Sequence, residues 1–441
     1  MRKILSPSIG FGFAALGAVF LLRVGGLNGD VWWHIAVGHY IVSSHHIIRS
    51  DVFAYTEYKQ NWIDQSWLYD IVIYLGYIHL GTWFAVILPY LICLATLVVI
   101  AYIVYPSSWL KIGSLLLYAG FAIGYEEIDR PQSLAFLFIA ILVFWLSRKR
   151  LPTWTPLLFF LWANLHGSFI EGLGFLIFGI AFGVWERKRS IIIMLFSTLV
   201  TLINPYGIKL WKDVFVISTS SEIHNTIQEW LPLNFHNYFI FAMFIIPILL
   251  VGYKLVQKVT IPTPPLILFV IMTFGTMYSA RILPYYVIAF IYVLYSCSDN
   301  KGKEIERKST WLLVAFAILY ASFTFPLATS PNKSLPIKST AYIKEHHLEK
   351  MHIYNEYMWG GYLDYVGIST FIDGRTELFL NKNVYTAYLK ISTLSSPLYY
   401  LNKYHVQYAL LAPKTPLATY LLQDKWQVLV KNKNEILLKK T

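Results

Sequence analysis

Asp30 and His34 stand four residues apart in Gly29-Asp30-Val31-Trp32-Trp33-His34. On a helix that spacing puts both side chains on one face. An aspartate there can take a proton from a hydroxyl as a general base, or hold a divalent cation that grips a phosphate. Asp ahead of an aromatic helix start also serves as an N-cap, and the spacing leaves both readings open. A second cluster is Tyr125-Glu126-Glu127-Ile128-Asp129-Arg130-Pro131-Gln132. Arg130 can fork onto a phosphate or diphosphate. Glu126, Glu127 and Asp129 are then substrate-binding candidates; a solvated loop whose charges pair with one another is the plain alternative. Pro131 suits the first turn of a following helix.

Further along, Trp162-Ala163-Asn164-Leu165-His166-Gly167-Ser168 and then Glu171 supply an amide, an imidazole and an acid. Asn164 and His166 are candidates to bind substrate. A lone histidine at a helix end is more often structural. Asn204-Pro205-Tyr206-Gly207 reads as a helix stop and turn. Glu229 beside Trp230 is a pairing of acid and ring that suits a sugar. Arg281 lies between two apolar runs and needs an anionic partner, although lipid headgroups satisfy many snorkelling arginines. Asp373-Gly374-Arg375 follows an expected strand, the place where α/β sites often lie; a turn closed by its own Asp373–Arg375 salt bridge explains it equally well.

What must position these residues is a set of membrane helices. The 441 residues are 56% hydrophobic, 17% aromatic and only 14% charged, and the mean hydropathy is +0.52. Soluble domains carry about 25% charged residues. Candidate spans are 7–26, 83–104, 110–125, 131–147, 153–166, 168–185, 190–204, 238–253, 261–279, 281–297 and 310–328, about eleven in all. The net charge of +12 does not call for nucleic acid. Lys and Arg gather in short loops at Arg148-Lys149-Arg150, Arg187-Lys188-Arg189, Lys254 with Lys258, and Lys301 to Lys308, which the positive-inside rule makes cytoplasmic together with Met1-Arg2-Lys3. The polar clusters then share the outer side. The amphipathic stretch 67–80 is expected along the outer interface. The first external loop is 27–82 and the second 205–237, where Tyr206 to Ser218 reads as a further interfacial helix.

From 329 onward charge rises and short apolar runs alternate with helical stretches. Strand candidates are His352-Ile353-Tyr354, Thr370-Phe371-Ile372, Tyr408 to Leu411, Gln427 to Val430 and Ile436 to Leu438. Helices are expected around 338–347, 385–392 and 415–423. The pattern predicts a small α/β domain over 329–441, outside the membrane, behind a transmembrane domain of residues 1–328. No GxGxxG or P-loop supports nucleotide binding. Cys93 and Cys297 sit in apolar runs and form no disulfide framework.

In order, these residues resemble the GT-C superfamily of membrane glycosyltransferases, and within it a group of poorly characterised bacterial proteins. The resemblance runs nearly full length. It rests on Asp30-Val31-Trp32-Trp33-His34 with Gly38 and Ile41, Asp51-Val52-Phe53-Ala54-Tyr55-Thr56, Trp62 and Trp67-Leu68. It continues through Arg130-Pro131-Gln132, Trp162 to Gly167, Asn204 to Gly207, Glu229-Trp230, Arg281, Gly360-Gly361-Tyr362 and Asp373-Gly374-Arg375. Where related proteins often have an acid and a histidine just before the tryptophan at 67, this chain has Asp64-Gln65-Ser66. The resemblance implies a polyprenyl-phosphate-linked sugar donor, a glycan, lipid or protein acceptor, and transfer on the outer face of the bacterial cytoplasmic membrane. Asp30 matches the acidic position of the first loop.

The expected roles are Asp30 with His34 at the chemistry, Arg130 and Arg281 on the donor phosphate, and Glu126, Glu127, Asp129, Asn164, His166, Glu229 and Trp230 around the substrate, with Asp373 and Arg375 as candidates in the tail. One Asp and one His are too few ligands to name a metal, so the cofactor is left unassigned. The competing readings are a transporter or flippase for a lipid-linked glycan, which predicts internal symmetry not evident here, and a noncatalytic scaffold of the same fold.

Overall fold

The computed structural model describes residues 29–104, 130–297, 335–380 and 382–441, together with 115, 119, 120, 122 and 123. The expected spans 7–26 and 310–328, most of 110–125, the Lys301–Lys308 loop, and Glu126, Glu127 and Asp129 lie outside the described residues. The described chain forms two compact units, residues 87–297 and residues 29–86 with 335–441.

The 87–297 unit is helical. Thr82–Val104, which begins in the other unit, and Tyr238–Val256 have the length and composition to cross a membrane. Gln132–Ser147, Thr155–Leu165, Phe169–Ala181, Thr263–Tyr278 and Ala280–Ser296 are apolar and shorter; Arg187–Val200 lies between the third and fourth of these in sequence. Local sequence sets their ends. Glu186 caps Arg187–Val200 by accepting from the backbone N–H of Lys188 at 3.0 Å and of Arg189 at 2.8 Å, and Asn237 does the same for Tyr238–Val256, so donors that a helix start leaves orphaned are satisfied. In the loop 205–237, Ile208–Thr219 is an amphipathic helix with Leu210 and Val214 buried and Ile208, Phe215 and Val216 exposed.

The other unit is built from two distant stretches of sequence. Helix α1 (Gly29–Ser44) packs on α2 (Trp67–Leu80). They cross closely because residue 38 is glycine: a Cβ there would collide with the Asp70 carbonyl and the Tyr74 Cβ. At 14 residues α2 is shorter than a span. The tail contributes a four-stranded sheet in the order β1 (Ile353–Asn355), β2 (Tyr408–Leu411), β4 (Ile436–Lys439), β3 (Gln427–Lys431). β1 and β2 are parallel; β2–β4 and β4–β3 are antiparallel. Parallel strands require a long crossover, and the helices between 360 and 403 supply it. One core joins both stretches: Val37, Ile41, Ile48, Ala54 and Trp62 pack with Tyr354, Phe371, Phe379, Leu401 and Leu438. The tail closes a second, smaller core by itself, with Ile343, Ile353, Leu363, Ile368, Leu410 and Leu437, but the larger one needs the first stretch as well.

One expected strand is absent from the sheet. Thr370-Phe371-Ile372 makes a single parallel bridge, Thr370 to Ala54. The side chain of Asn355 takes the place of a neighbouring strand, accepting from Phe371 N and donating to Ile372 O, each at 2.8 Å. Thr56 Oγ1 donates to Phe371 O at 2.7 Å. Backbone groups that must be paired when buried are thus met by loop 51–56 and one amide, and Asp373-Gly374-Arg375 follows this segment and not a sheet strand.

Candidate functional site

Asp30 falls in the first turn of α1 and is 9% exposed. That turn is gripped by glycines. A Cβ on Gly361 would lie 2.5 Å from Gly29 O and 2.9 Å from Trp33 N, and one on Gly374 would collide with Asp30 Oδ1. Gly360-Gly361 and the Asp373-Gly374-Arg375 turn therefore lie directly on the acid-bearing end of α1. Gly374 meets the Asp30 carboxylate itself, and a Cβ on Gly374 would also come within 2.9 Å of the Trp33 indole nitrogen.

Arg375 is completely buried. Its Nη1 is 2.7 Å from Asp51 Oδ1, and its Nε and Nη2 fork onto Asp373 at 2.9 and 2.5 Å. The guanidinium lies 4.7 Å from the Trp62 ring and 5.1 Å from the Phe53 ring. The expected salt bridge inside the Asp-Gly-Arg turn is present, and Asp51 of the first loop completes it. Burial works against the cation, but Asp373 and Asp51 outweigh it and hold Arg375 charged. Asp364, accepting from Thr370 Oγ1 at 2.9 Å, is pushed well above the usual carboxylate range by burial and then by Asp373. Asp51 is also raised, by burial against the pull of Arg375.

A second buried group adjoins it. His34, 3% exposed, has Nδ1 2.6 Å from Asp70 Oδ1. Asp70 and Asp64 are buried and face each other within hydrogen-bonding reach. Asp64 Oδ1 also accepts from Ser66 N at 2.9 Å and Ser66 Oγ at 3.1 Å. Burial, and then the charge of Asp70, push Asp64 well up; burial does the same to Asp70. Among the described residues no group of three or more His, Cys, Asp or Glu is arranged to hold a metal ion.

In the 87–297 unit, Glu229 is shared by two arginines. Arg130 Nη1 donates to its Oε2 at 3.0 Å, and Arg281 Nη1 lies 3.7 Å from its Oε1. Arg281 also donates to Gln132 Oε1 and lies 4.8 Å over the Trp230 ring. The loop holding Glu229 is pinned by Ser279 Oγ donating to Glu229 O at 3.2 Å and Ala280 N donating to Leu231 O at 2.9 Å. Arg130 and Glu229 are about a quarter exposed. Glu171 accepts from Tyr285 OH at 2.7 Å. Arg130, Arg281, Glu229 and Trp230 thus meet in one place. The Asn164 amide donates to Phe160 O at 2.8 Å and Ile203 O at 3.0 Å, tying its helix to the turn after Arg187–Val200. His166 Nδ1 accepts from Ser168 N at 3.1 Å and bonds Ser168 Oγ at 2.8 Å, closing its own turn. Asn204 likewise spends its side chain on Thr201 O, Gly207 O and Tyr206 N.

The architecture matches solved structures. The archaeal oligosaccharyltransferase AglB from Archaeoglobus fulgidus, in complex with an inhibitory peptide and a dolichol-phosphate, aligns over 91% of this chain and 69% of its own, at 11% identity and a TM-score of 0.55. ArnT from Cupriavidus metallidurans, bound to undecaprenyl phosphate, aligns over 98% of this chain and 97% of its own, at 12% identity and a TM-score of 0.55. The fold is GT-C. No family model matches the sequence, and no curated protein matches it. At these identities the likeness speaks for a GT-C membrane fold and leaves residue roles to the local geometry.

Sequence reasoning did not anticipate Asp64 and Asp70 as partners of His34. They are separated from it by 30 and 36 positions, and no spacing rule connects them. The available signal was a lone acid, Asp70, inside the aromatic stretch 67–80, on the face that also buries Tyr69 and Ile73.

Proposed function

We propose that the protein is a GT-C-type glycosyltransferase that moves a sugar from a polyprenyl-phosphate donor to a glycan, lipid or protein acceptor on the outer face of the bacterial cytoplasmic membrane. The observation that carries this reading is the GT-C fold over nearly the whole chain, with an acid in the first turn after the first expected span held by glycine contacts. In the proposed reaction the acceptor oxygen attacks the anomeric carbon, the bond from that carbon to the phosphate oxygen breaks, and Asp30 takes the acceptor proton. Phosphate is a competent leaving group once its charge is met. Arg130 and Arg281, joined at Glu229 in the free protein, are the groups suited to meet it. The topology of about eleven spans with the N-terminus cytoplasmic and the 329–441 tail outside belongs to this proposal.

Asp30→Asn tests it. The variant keeps size and hydrogen bonding and removes the base. Complementation of a deletion strain with wild-type protein should restore a glycosylated product seen by mass spectrometry, and Asp30→Asn should lower transfer roughly 10²–10⁴-fold at unchanged membrane abundance. Undiminished transfer by the variant rules out Asp30 as the base.

A further inference from the structure

The helix Arg187–Val200 carries a stripe of bare apolar side chains. Ile192, Leu195, Phe196 and Leu199 recur at helical spacing, and Ile203 continues the row just past the helix end; their exposure runs from 54% to 61%. On a membrane-protein helix such a face meets acyl chains. The row does not stop at the Asn204-Pro205-Tyr206-Gly207 turn. Beyond it, Ile208–Thr219 exposes Ile208 at 68%, Phe215 at 66% and Val216 at 55%. Trp211 fixes the junction: its Nε1 donates to Oγ1 of the buried Thr201 at 3.0 Å, and its ring meets Phe169 edge-on at 5.4 Å. The short helix is therefore docked at the end of Arg187–Val200 remote from Arg187-Lys188-Arg189. It has 12 residues, a rise of about 18 Å, too little to cross a bilayer.

The exposed face also holds charge. Lys209 and Lys212 are exposed, and neither ammonium makes a hydrogen bond or ion pair among the described residues. By helical spacing Lys212 falls between Ile208, Phe215 and Val216, and Lys209 beside Val216. Asp213, the acid of this helix, is half-buried and lies off this face. A lysine can lay its stem along apolar neighbours while the ammonium reaches the headgroup level. A free phosphate would meet the two charges and leave the apolar side chains bare. A neutral lipid would cover those side chains and leave the charges unmet. A lipid with an anionic headgroup meets both.

We propose that the exposed face of Ile208–Thr219 binds anionic phospholipid of the surrounding bilayer, with Ile208, Phe215 and Val216 at the acyl boundary and Lys209 and Lys212 on headgroup phosphates. This surface is separate from sugar transfer and does not depend on the function proposed above.

Native mass spectrometry of the full-length protein in detergent tests it, with phosphatidylglycerol and phosphatidylcholine of identical acyl chains added in equal amounts. The wild type should retain phosphatidylglycerol in preference. Lys209→Gln combined with Lys212→Gln should weaken phosphatidylglycerol binding roughly 30-fold, the combined effect of two cations at an anionic surface, with phosphatidylcholine binding and the melting temperature unchanged. Lys254→Gln combined with Lys258→Gln removes the same charge elsewhere and should change neither lipid. Phe215→Ser combined with Val216→Ser should weaken both lipids alike. Equal retention of the two lipids by the wild type, an equal loss in the two lysine pairs, or unaltered retention in the Phe215 and Val216 variant overturns the proposal. A co-purifying polyprenyl phosphate that is lost with Lys209 and Lys212 would assign the face to that lipid and overturns it as well.

Discussion

Arg375 and Arg130 each sit among acids and aromatic rings, yet the two regions use the cation differently. Around Arg375 the partners Asp51, Asp373, Trp62 and Phe53 enclose a group with no exposed surface, and both carboxylates are fully buried. Around Arg130 and Arg281, among the described residues, Glu229 serves both guanidinium groups, and Arg130 and Glu229 remain about a quarter exposed. A fork with no exposed surface is closed to a ligand and braces what it joins, here the first loop and the turn against Asp30. A partly exposed pair on one shared acid can exchange that acid for an incoming anion at modest cost. The contrast separates a charge network that holds a site from one suited to receive a substrate.

The largest effect should come from breaking the brace. Arg375→Met removes the cation and leaves Asp51 and Asp373 buried without compensation, which costs on the order of 3–5 kcal/mol. Thermal unfolding of the full-length protein in detergent, followed by protease sensitivity of residues 335–441, should show the loss. Arg375→Lys should recover only part of it, since an ammonium cannot fork onto Asp373 and reach Asp51 while covering two rings. A melting curve for Arg375→Met that overlays the wild type would remove the distinction between the two regions.

Arg130→Gln should behave in the opposite way. Its pair with Glu229 is solvated, so the loss of stability should stay under about 1 kcal/mol. If the pair receives the donor phosphate, the donor KM should rise roughly 10–100-fold, the worth of about 1.5–3 kcal/mol for a hydrogen bond to a charged group. An Arg130→Gln protein with an unchanged donor KM would leave the arginine pair as a loop tie alone.

Much of this contrast was legible in the sequence because it depends on composition and local pattern. The helices Gln132–Ser147, Tyr238–Val256 and Thr263–Tyr278 fall on expected apolar runs, though of the three only Tyr238–Val256 is long enough to cross a membrane, and β1, β2 and β4 fall on short apolar stretches bounded by turns. The meeting of Arg130, Glu229, Trp230 and Arg281 was foreshadowed because charges in a membrane protein have few tolerable places to go. Asn164 and His166 were equally conspicuous by that rule, and each also bonds within the chain, Asn164 to Phe160 and Ile203 and His166 to Ser168. Residue type announces a polar group and not whether its partner is a neighbour or a ligand. Thr370-Phe371-Ile372 had strand composition, yet its backbone is paired by Asn355 and loop 51–56, a tertiary substitution that no local pattern encodes. The joining of residues 29–86 to the tail in one core is of the same kind: the two stretches lie more than 240 positions apart.

The smallest expected effect is also the most direct probe of the buried acids. Asp64 and Asp364 have folded-state pKa values raised well above the ordinary 3.8, first by burial and second by the charge of Asp70 or Asp373. A raised pKa means that the folded state binds the proton more tightly than the unfolded chain does. The stability so gained is fully present below the unfolded pKa and is lost as pH climbs from there through the folded values. The unit containing α1 and the sheet should therefore melt at progressively lower temperature as pH rises from about 4 toward neutrality. Carboxylates that are merely ion-paired would give the reverse slope. Asp64→Asn carries a permanent donor in place of the titrating one, so it should flatten the slope while keeping the bond to Asp70. A slope that Asp64→Asn leaves unchanged would mean that the titrating proton resides on Asp51 or Asp364, and would move the charge balance of the brace from the histidine side to the arginine side.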